Sequence, residues 1–449
     1  MSQVNVPLDV YGQNPRLSGL YTQLCFCFSL PESQASIADT TEYLRKGLER
    51  LAIHFPWTAG QVVRTEDGTY TIVAYEKYPQ LLTQDKRDDL PSFESYRDAG
   101  FPFRWLDEKN IASCNTLPDG GDGIAPVMSL KANFVRGGLL LVVSAQHNCM
   151  DMAGQSEVIR LFAKACDNTA CFTDEELRIG NFPREHAIPL LENMPDDSKG
   201  MREETSDTGA SKLREQPGST KIKVIWSYFV FPAAALATIK SNAEKDKYTD
   251  FVSTDDTLSA FIWKHLTGSR LKSSPGMPRS STFERQVDVR KQLNLPAKYP
   301  GNAVYKTSTT FSTEEVVSKP LGFLASELRA SISPVPDIGY RARQDATLLH
   351  RRLQEESISS RAVTQGSIPP LDIKMSSWAK EDCCNFDFGS SLGRPEVVRR
   401  PSFEGWTGLA YLMPKGRHGE IAAALCLNEA DTKALIANVD FARFSQYIG

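Results

Sequence analysis

This chain carries almost no excess charge, no pair of cysteines at metal-ligand spacing and no long apolar run. Its 51 Lys and Arg stand against 55 Asp and Glu, a net charge of −4. That balance excludes the basic footprint of a nucleic-acid binder and gives no reason to expect attraction to anionic membranes. The nine cysteines are Cys25, Cys27, Cys114, Cys149, Cys166, Cys171, Cys383, Cys384 and Cys426, and none stands in a C-x-x-C pair. With only six histidines and no His cluster beside the cysteines, no metal site is expected. Reduced thiols in a cytoplasmic protein are the expectation. No apolar stretch reaches a membrane span. The opening "MSQVNVPLDVYG" lacks the basic and apolar regions of a secretory signal.

What is there suits a globular protein: 449 residues, 41% of them hydrophobic. One core rarely serves such a length, so two domains of roughly 200 residues each are expected. Short apolar runs alternate with helical periodicities. "LCFCFSL" (Leu24–Leu30) reads as a strand, and Thr40–Phe55 as a helix with Leu44, Leu48, Leu51 and Phe55 on one face. "FPWTAGQVV" turns into a strand, and "VMSLKANFV" and "GLLLVVSAQ" form a hairpin about Arg136-Gly137. Gly154–Cys166 is the next amphipathic helix. Residues 196–221 are polar and charged and read as a crossover between residues 1–195 and 222–449. Beyond it, "IKVIWSYFVF" is a strand and "STDDTLSAFIWKHL" a helix capped by Ser253, with Asp256 in the first turn. The pattern predicts an α/β (α+β) protein with a mixed sheet and flanking helices in each half.

The stretch "SAQHNCMDMAG" places His147 and Asp151 four residues apart, where an apolar strand ends. A histidine there can project into a crevice between elements and suits general-base chemistry near neutral pH. The bland alternative is a histidine bonded to backbone and an aspartate capping the next helix, and the local pattern alone does not separate the two. Cys149 invites a Cys-His reading, but neighbouring side chains in a turn need not face each other. No Gly-x-Ser-x-Gly elbow is present.

Five segments in order carry a family resemblance: "FPWTAGQ", "FVRGGLLLVVSAQHNCMDMAGQ", "STDDTLSAFIW", "VDVRKQLNLPAKYPGNAV" and "SSWAKEDCCNFDFGSSLGRPEVVRRP". Together they resemble the BAHD acyltransferases. The forms "QHNCMDMAGQ", "STDDTLSAFIW" and "SSWAK" are more similar to the fungal trichothecene 3-O-acetyltransferase group than to the plant enzymes. Two departures stand out. Met152 and Ala153 precede Gly154, a feature of the fungal group. Ser390 and Ser391 replace the usual aromatic and glycine after Asp387-Phe388-Gly389, which puts local packing in question.

The resemblance implies a chloramphenicol-acetyltransferase-like architecture with the site between two domains, the first completed by roughly residues 370–397. It implies direct acyl transfer from acetyl-CoA or another acyl-CoA, as co-substrate, to a small terpenoid-type alcohol by a monomer, with no bound cofactor. His147 is then the base, and Asp151 is a structural residue paired with Arg290. Ser253 and Thr254, at a helix start, would meet an anion or the pantetheine arm. Ser376, Ser377 and Trp378 would line the donor's path. Asn302 either faces the reaction centre or is a turn residue. Asp387, Phe388 and Gly389 are structural, Trp406 is core or pocket wall, and Lys374 and Lys380 could meet phosphates. His54, His186, His265, His350 and His418 lack comparable context. The competing readings are an N-acyltransferase, a relative of condensation domains, and an inactive binding protein.

Overall fold

The computed structural model describes residues 4–31, 36–75, 81–118, 125–167, 169–192, 194, 223–273, 279–333, 335–355 and 371–449. The crossover expected at 196–221 lies outside them. Two mixed sheets organise the chain. The first has five strands in the order Val397–Arg399, Tyr21–Ser29, Gly138–Gln146, Met128–Val135 and Leu81–Asp85. The second has seven, in the order Val304–Ser312, Ser280–Asp288, Ile373–Ser377, Leu409–Leu412, Ile421–Asn428, Val224–Phe231 and Gln446–Tyr447. A three-stranded ribbon, Asn5–Pro7, Tyr70–Val73 and Gln61–Arg64, flanks the first sheet.

The first sheet is built around a strand with no polar face. Every residue of Gly138–Gln146 is buried, so the strand is covered on both sides. It pairs antiparallel with Met128–Val135 through Val135↔Gly138, and Gly137 at φ +76° makes the turn. Helix Ile37–His54, capped by Ser36, buries Leu44, Leu48 and Leu51 on this layer. Helix Met152–Cys166 packs there as well, with Val158, Leu161 and Phe162 in the same core.

The return of the chain to the first sheet differs from the expectation. Ile373–Ser377 does not complete the first half. It pairs in parallel with Ser280–Asp288 and Leu409–Leu412 in the seven-stranded sheet, where Ile373 and Met375 join the second core. The chain crosses over only after it, and Val397–Arg399 adds an antiparallel edge beside Tyr21–Ser29. Phe388 anchors that crossing, with ring centroids 5.6, 5.1 and 5.9 Å from Phe26, Phe28 and Phe162. The Tyr43 hydroxyl donates to the Phe388 carbonyl at 2.7 Å. Gly389 is required here: its φ is +78°, and a Cβ would come within 2.2 Å of the Tyr43 oxygen. Ser390 and Ser391 are exposed at the tip of this turn.

Candidate active site

His147 is the first residue beyond the buried strand. Its backbone N–H donates to the Leu20 carbonyl at 2.7 Å, so the ring leaves the sheet at a defined point. It lines a cavity of about 690 Å³ whose walls come from both halves of the chain. Tyr21, His147 and Met152 belong to the first half. Gln286, Ser376, Ser377, Trp378, Phe403 and Tyr411 belong to the second. The ring is half-buried. Its Nδ1 is enclosed and has no hydrogen-bond partner among the described residues, so the opposite edge, carrying Nε2, is the one offered to the cavity. Burial depresses the proton affinity of the ring. Its own backbone and Asp151 oppose this, Arg400 adds to it, and the net effect is a pKa below 6.5. The imidazole is therefore neutral near pH 7 and able to accept a proton.

The turn carrying His147 is held from its flank by Asp151 and Arg290, which also line the cavity, and from behind by Asn302. Asp151 caps helix Met152–Cys166 by accepting from Gly154 N–H at 2.9 Å. Arg290 donates to both of its oxygens, at 2.7 and 2.9 Å, and Ala303 N–H donates to it at 2.8 Å. The guanidinium also donates to the carbonyls of Tyr299 and Gly301 and to Asp288. Burial works against its charge, but Asp151 and then Asp288 more than offset that and hold it protonated. Asn302 is not part of the cavity wall, which corrects the reading that it faces the reaction centre. Its amide bridges the carbonyls of His147 and Asn148 at 2.9 and 3.0 Å, from behind the turn. Asp9 lies deeper. It accepts from Asn302 N–H, the Tyr299 hydroxyl and Gly12 N–H. Sequence reasoning missed it, because nothing near Asp9 signals a contact with residues 299–302.

The other expected residues divide. Ser253 touches the cavity, but its hydroxyl donates to Asp256 at 2.7 Å and accepts from Asp256 N–H at 3.1 Å, in a capping box. Thr254 lies outside the cavity wall. An anion expected at this helix start would meet Asp255 and Asp256 instead. Both pair with Arg285, and Arg329 also binds Asp256. Burial would raise the Asp256 pKa, yet Arg285, Ser253 and Arg329 bring it below the usual carboxylate value. Ser376 and Ser377 end the parallel strand at the cavity, and Trp378 continues it. Trp406 also lines the wall, and its indole Nε1 is enclosed without a partner among the described residues. Lys380 reaches the cavity edge, whereas Lys374 pairs with Glu284 at 3.5 Å. Asp387 is exposed and caps its own turn through Gly389 N–H. Phe388 and Gly389 serve the fold as described above.

Cys149 is not placed for chemistry. It is fully buried outside the cavity wall, and burial pushes its thiol up to about 12. All nine cysteines are free. Among the described residues, no group of three or more His, Cys, Asp or Glu side chains is arranged to hold a metal ion, and no helix is long and apolar enough to cross a membrane. The site thus offers one neutral base at a two-sided cavity, on a turn clamped by a buried ion pair. That arrangement can take a proton from one bound molecule while a second lies opposite.

The chain is similar over its whole length to known proteins. The Trichothecene 3-O-acetyltransferase-like N-terminal domain family matches residues 20–166. The O-acetyltransferase dmxR13 of Cryptosporiopsis sp. (strain 8999) is 40% identical, with 98% of this chain and 97% of that protein covered. The trichothecene 3-O-acetyltransferase TRI101 of Fusarium sporotrichioides is 38% identical over 99% of this chain and 97% of its own. The crystal structure of F. graminearum TRI101 complexed with ethyl coenzyme A superposes with a TM-score of 0.88 at 35% identity, covering 100% of both chains. The F. graminearum protein complexed with coenzyme A and deoxynivalenol gives 0.88 at 36% identity, over 99% of this chain and 100% of that one. Vinorine synthase, 16% identical with a TM-score of 0.66 over 99% and 94% of the two chains, shares the fold alone. This chain belongs to the trichothecene 3-O-acetyltransferase family, the fungal group of BAHD-type acyltransferases.

Proposed function

We propose that this chain is a CoA-dependent O-acetyltransferase that moves the acetyl group of acetyl-CoA directly to a hydroxyl of a small terpenoid-type acceptor. The observation that carries the reading is His147: a neutral imidazole opening on a cavity walled by both halves of the chain. The acceptor O–H gives its proton to His147 Nε2 as the oxygen attacks the thioester carbonyl. The tetrahedral adduct then collapses, the C–S bond breaks, and the imidazolium returns the proton to the departing thiolate. One base suffices, because both substrates are held together and no acyl-enzyme forms. Asp151, Arg290 and Asn302 act on this chemistry through the position of the turn. Ser376 and Ser377, at a strand end beside Trp378, are placed to hydrogen-bond the pantetheine arm. The solved relatives that hold coenzyme A or its ethyl derivative support the donor, and the relatives' names support an oxygen acceptor.

The reading includes a monomer working in the cytoplasm, in keeping with nine free thiols. The test is direct. The purified chain is incubated with acetyl-CoA and a panel of hydroxylated sesquiterpenoids, a trichothecene among them, and thiol release is followed with product masses. Acetylated product at a rate proportional to enzyme is expected. No thiol release with any alcohol would leave a binding protein instead.

A further inference from the structure

The proposed transfer makes no use of Arg400. This side chain is 3% exposed and lines the cavity. It stands one residue past the edge strand Val397–Arg399 and just before Pro401. One hydroxyl clamps its backbone: Arg400 N–H donates to the Tyr228 oxygen at 2.8 Å, and that hydroxyl donates to the Arg400 carbonyl at 3.1 Å. The guanidinium carbon lies 4.3, 4.6 and 5.6 Å from the ring centroids of Phe403, Tyr411 and Trp378. Three aromatic walls thus fix its direction.

It has no anion. Among the described residues Arg400 makes no ion pair and no side-chain hydrogen bond, and its Nε is enclosed without a partner. Glu108 feels its charge, but the Glu108 carboxylate already accepts from Thr116 N–H and the Thr116 hydroxyl at 2.7 and 2.6 Å. The other guanidinium groups of the site differ: Arg285, Arg290 and Arg329 all hold carboxylates. A guanidinium enclosed without a counter-charge is costly, and such a group is retained where something else supplies the oxygen.

We propose that Arg400 recognises the acceptor, its cavity-facing N–H groups taking a carbonyl or carboxylate oxygen of the alcohol substrate and so selecting which hydroxyl meets His147. The inference rests on the acetyltransferase reading for the identity of the ligand as an acceptor. The donor's phosphates are not the partner. Arg400 lines the same cavity as His147 and its charge opposes protonation of the ring, whereas the phosphates lie at the far end of a pantetheine arm from the reacting thioester.

The experiment uses three acceptors of one skeleton: a hydroxyketone, a hydroxy acid and the plain alcohol. Affinity is measured calorimetrically without acetyl-CoA, and turnover with it, for the wild type, Arg400→Met and Arg400→Lys. The wild type should bind at least one oxo compound about 10- to 100-fold more tightly than the plain alcohol. Arg400→Met should erase that preference and leave the KM for acetyl-CoA within about twofold. Arg400→Lys should keep part of it, more for the acid than for the ketone. The lower limb of the pH profile of kcat/KM should move to higher pH in Arg400→Met and stay in place in Arg400→Lys, because His147 faces the charges of Asp151 and Arg400. A wild type that binds all three alike overturns the proposal with no variant needed. So does an equal loss on all three acceptors in Arg400→Met, which would place Arg400 at the transition state or in the fold. Binding without turnover would count against the transferase reading and not against Arg400.

Discussion

Arg290 and Asp151, 139 residues apart in sequence, meet through two side-by-side contacts of 2.7 and 2.9 Å, each residue 2% exposed. Removing one partner strands a buried charge, at a cost of about 3–5 kcal/mol. Asp151→Asn and Arg290→Ala should each lower stability and kcat/KM, and the double variant should lose far less than the sum. A double-mutant cycle on denaturant midpoints and on kcat/KM reads this. Strict additivity in both would mean that the pair does not brace the site in solution.

His147→Ala should lower turnover by about 10² to 10⁴ while acetyl-CoA affinity stays within a few-fold. The histidine is at the cavity but makes none of the side-chain contacts that hold the turn. Steady-state kinetics and calorimetric titration separate the two effects. Activity close to wild type would remove His147 from the base role.

Cys149→Ala should remain active within a few-fold. The buried thiol holds its proton at neutral pH, with burial pushing it up to about 12. Peptide mass mapping after acetyl-CoA alone should show no acetyl group on Cys149. A trapped adduct, together with an inactive variant, would replace direct transfer with a two-step scheme.

The pH dependence follows from the depressed pKa of His147. A base works only when deprotonated, so kcat/KM rises with pH through the pKa of the free enzyme and then levels. Burial, aided by Arg400 and opposed by the backbone and Asp151, puts that pKa below 6.5. The midpoint of the rising limb should fall below 6.5, with a plateau at neutral pH. A midpoint above 6.5 would mean that the carboxylate outweighs burial.

Gly154→Ala should destabilise the chain by about 1–3 kcal/mol and depress activity. A Cβ at Gly154 would come within 2.4 Å of the Pro300 carbonyl oxygen. That contact lies between the helix capped by Asp151 and the loop that leads to Asn302. Thermal unfolding and kcat should fall together. An unchanged melting temperature would show that the loop yields freely.

What the sequence determined by itself is local. The apolar run Gly138–Gln146 reads as a covered strand, and every residue of it is buried. Asp151 and Ser253 stand where a helix needs a cap, and each accepts from a backbone N–H three residues on. These features rest on hydrogen bonds within about one helical turn, so residue order suffices. Tertiary structure decided the rest. Asn302 lies behind His147, not in front, because Asp9 and the loop 299–303 fix the direction of its amide. Thr254 turns away from the cavity although Ser253 beside it does not. Ile373–Ser377 joins the second sheet and Val397–Arg399 the first, since a strand's partner is set by which edge is open when the halves close. Arg400 reaches the cavity only because that crossing brings "VVRRP" beside Tyr228. Such contacts join residues tens to hundreds of positions apart, and no spacing along the chain encodes them.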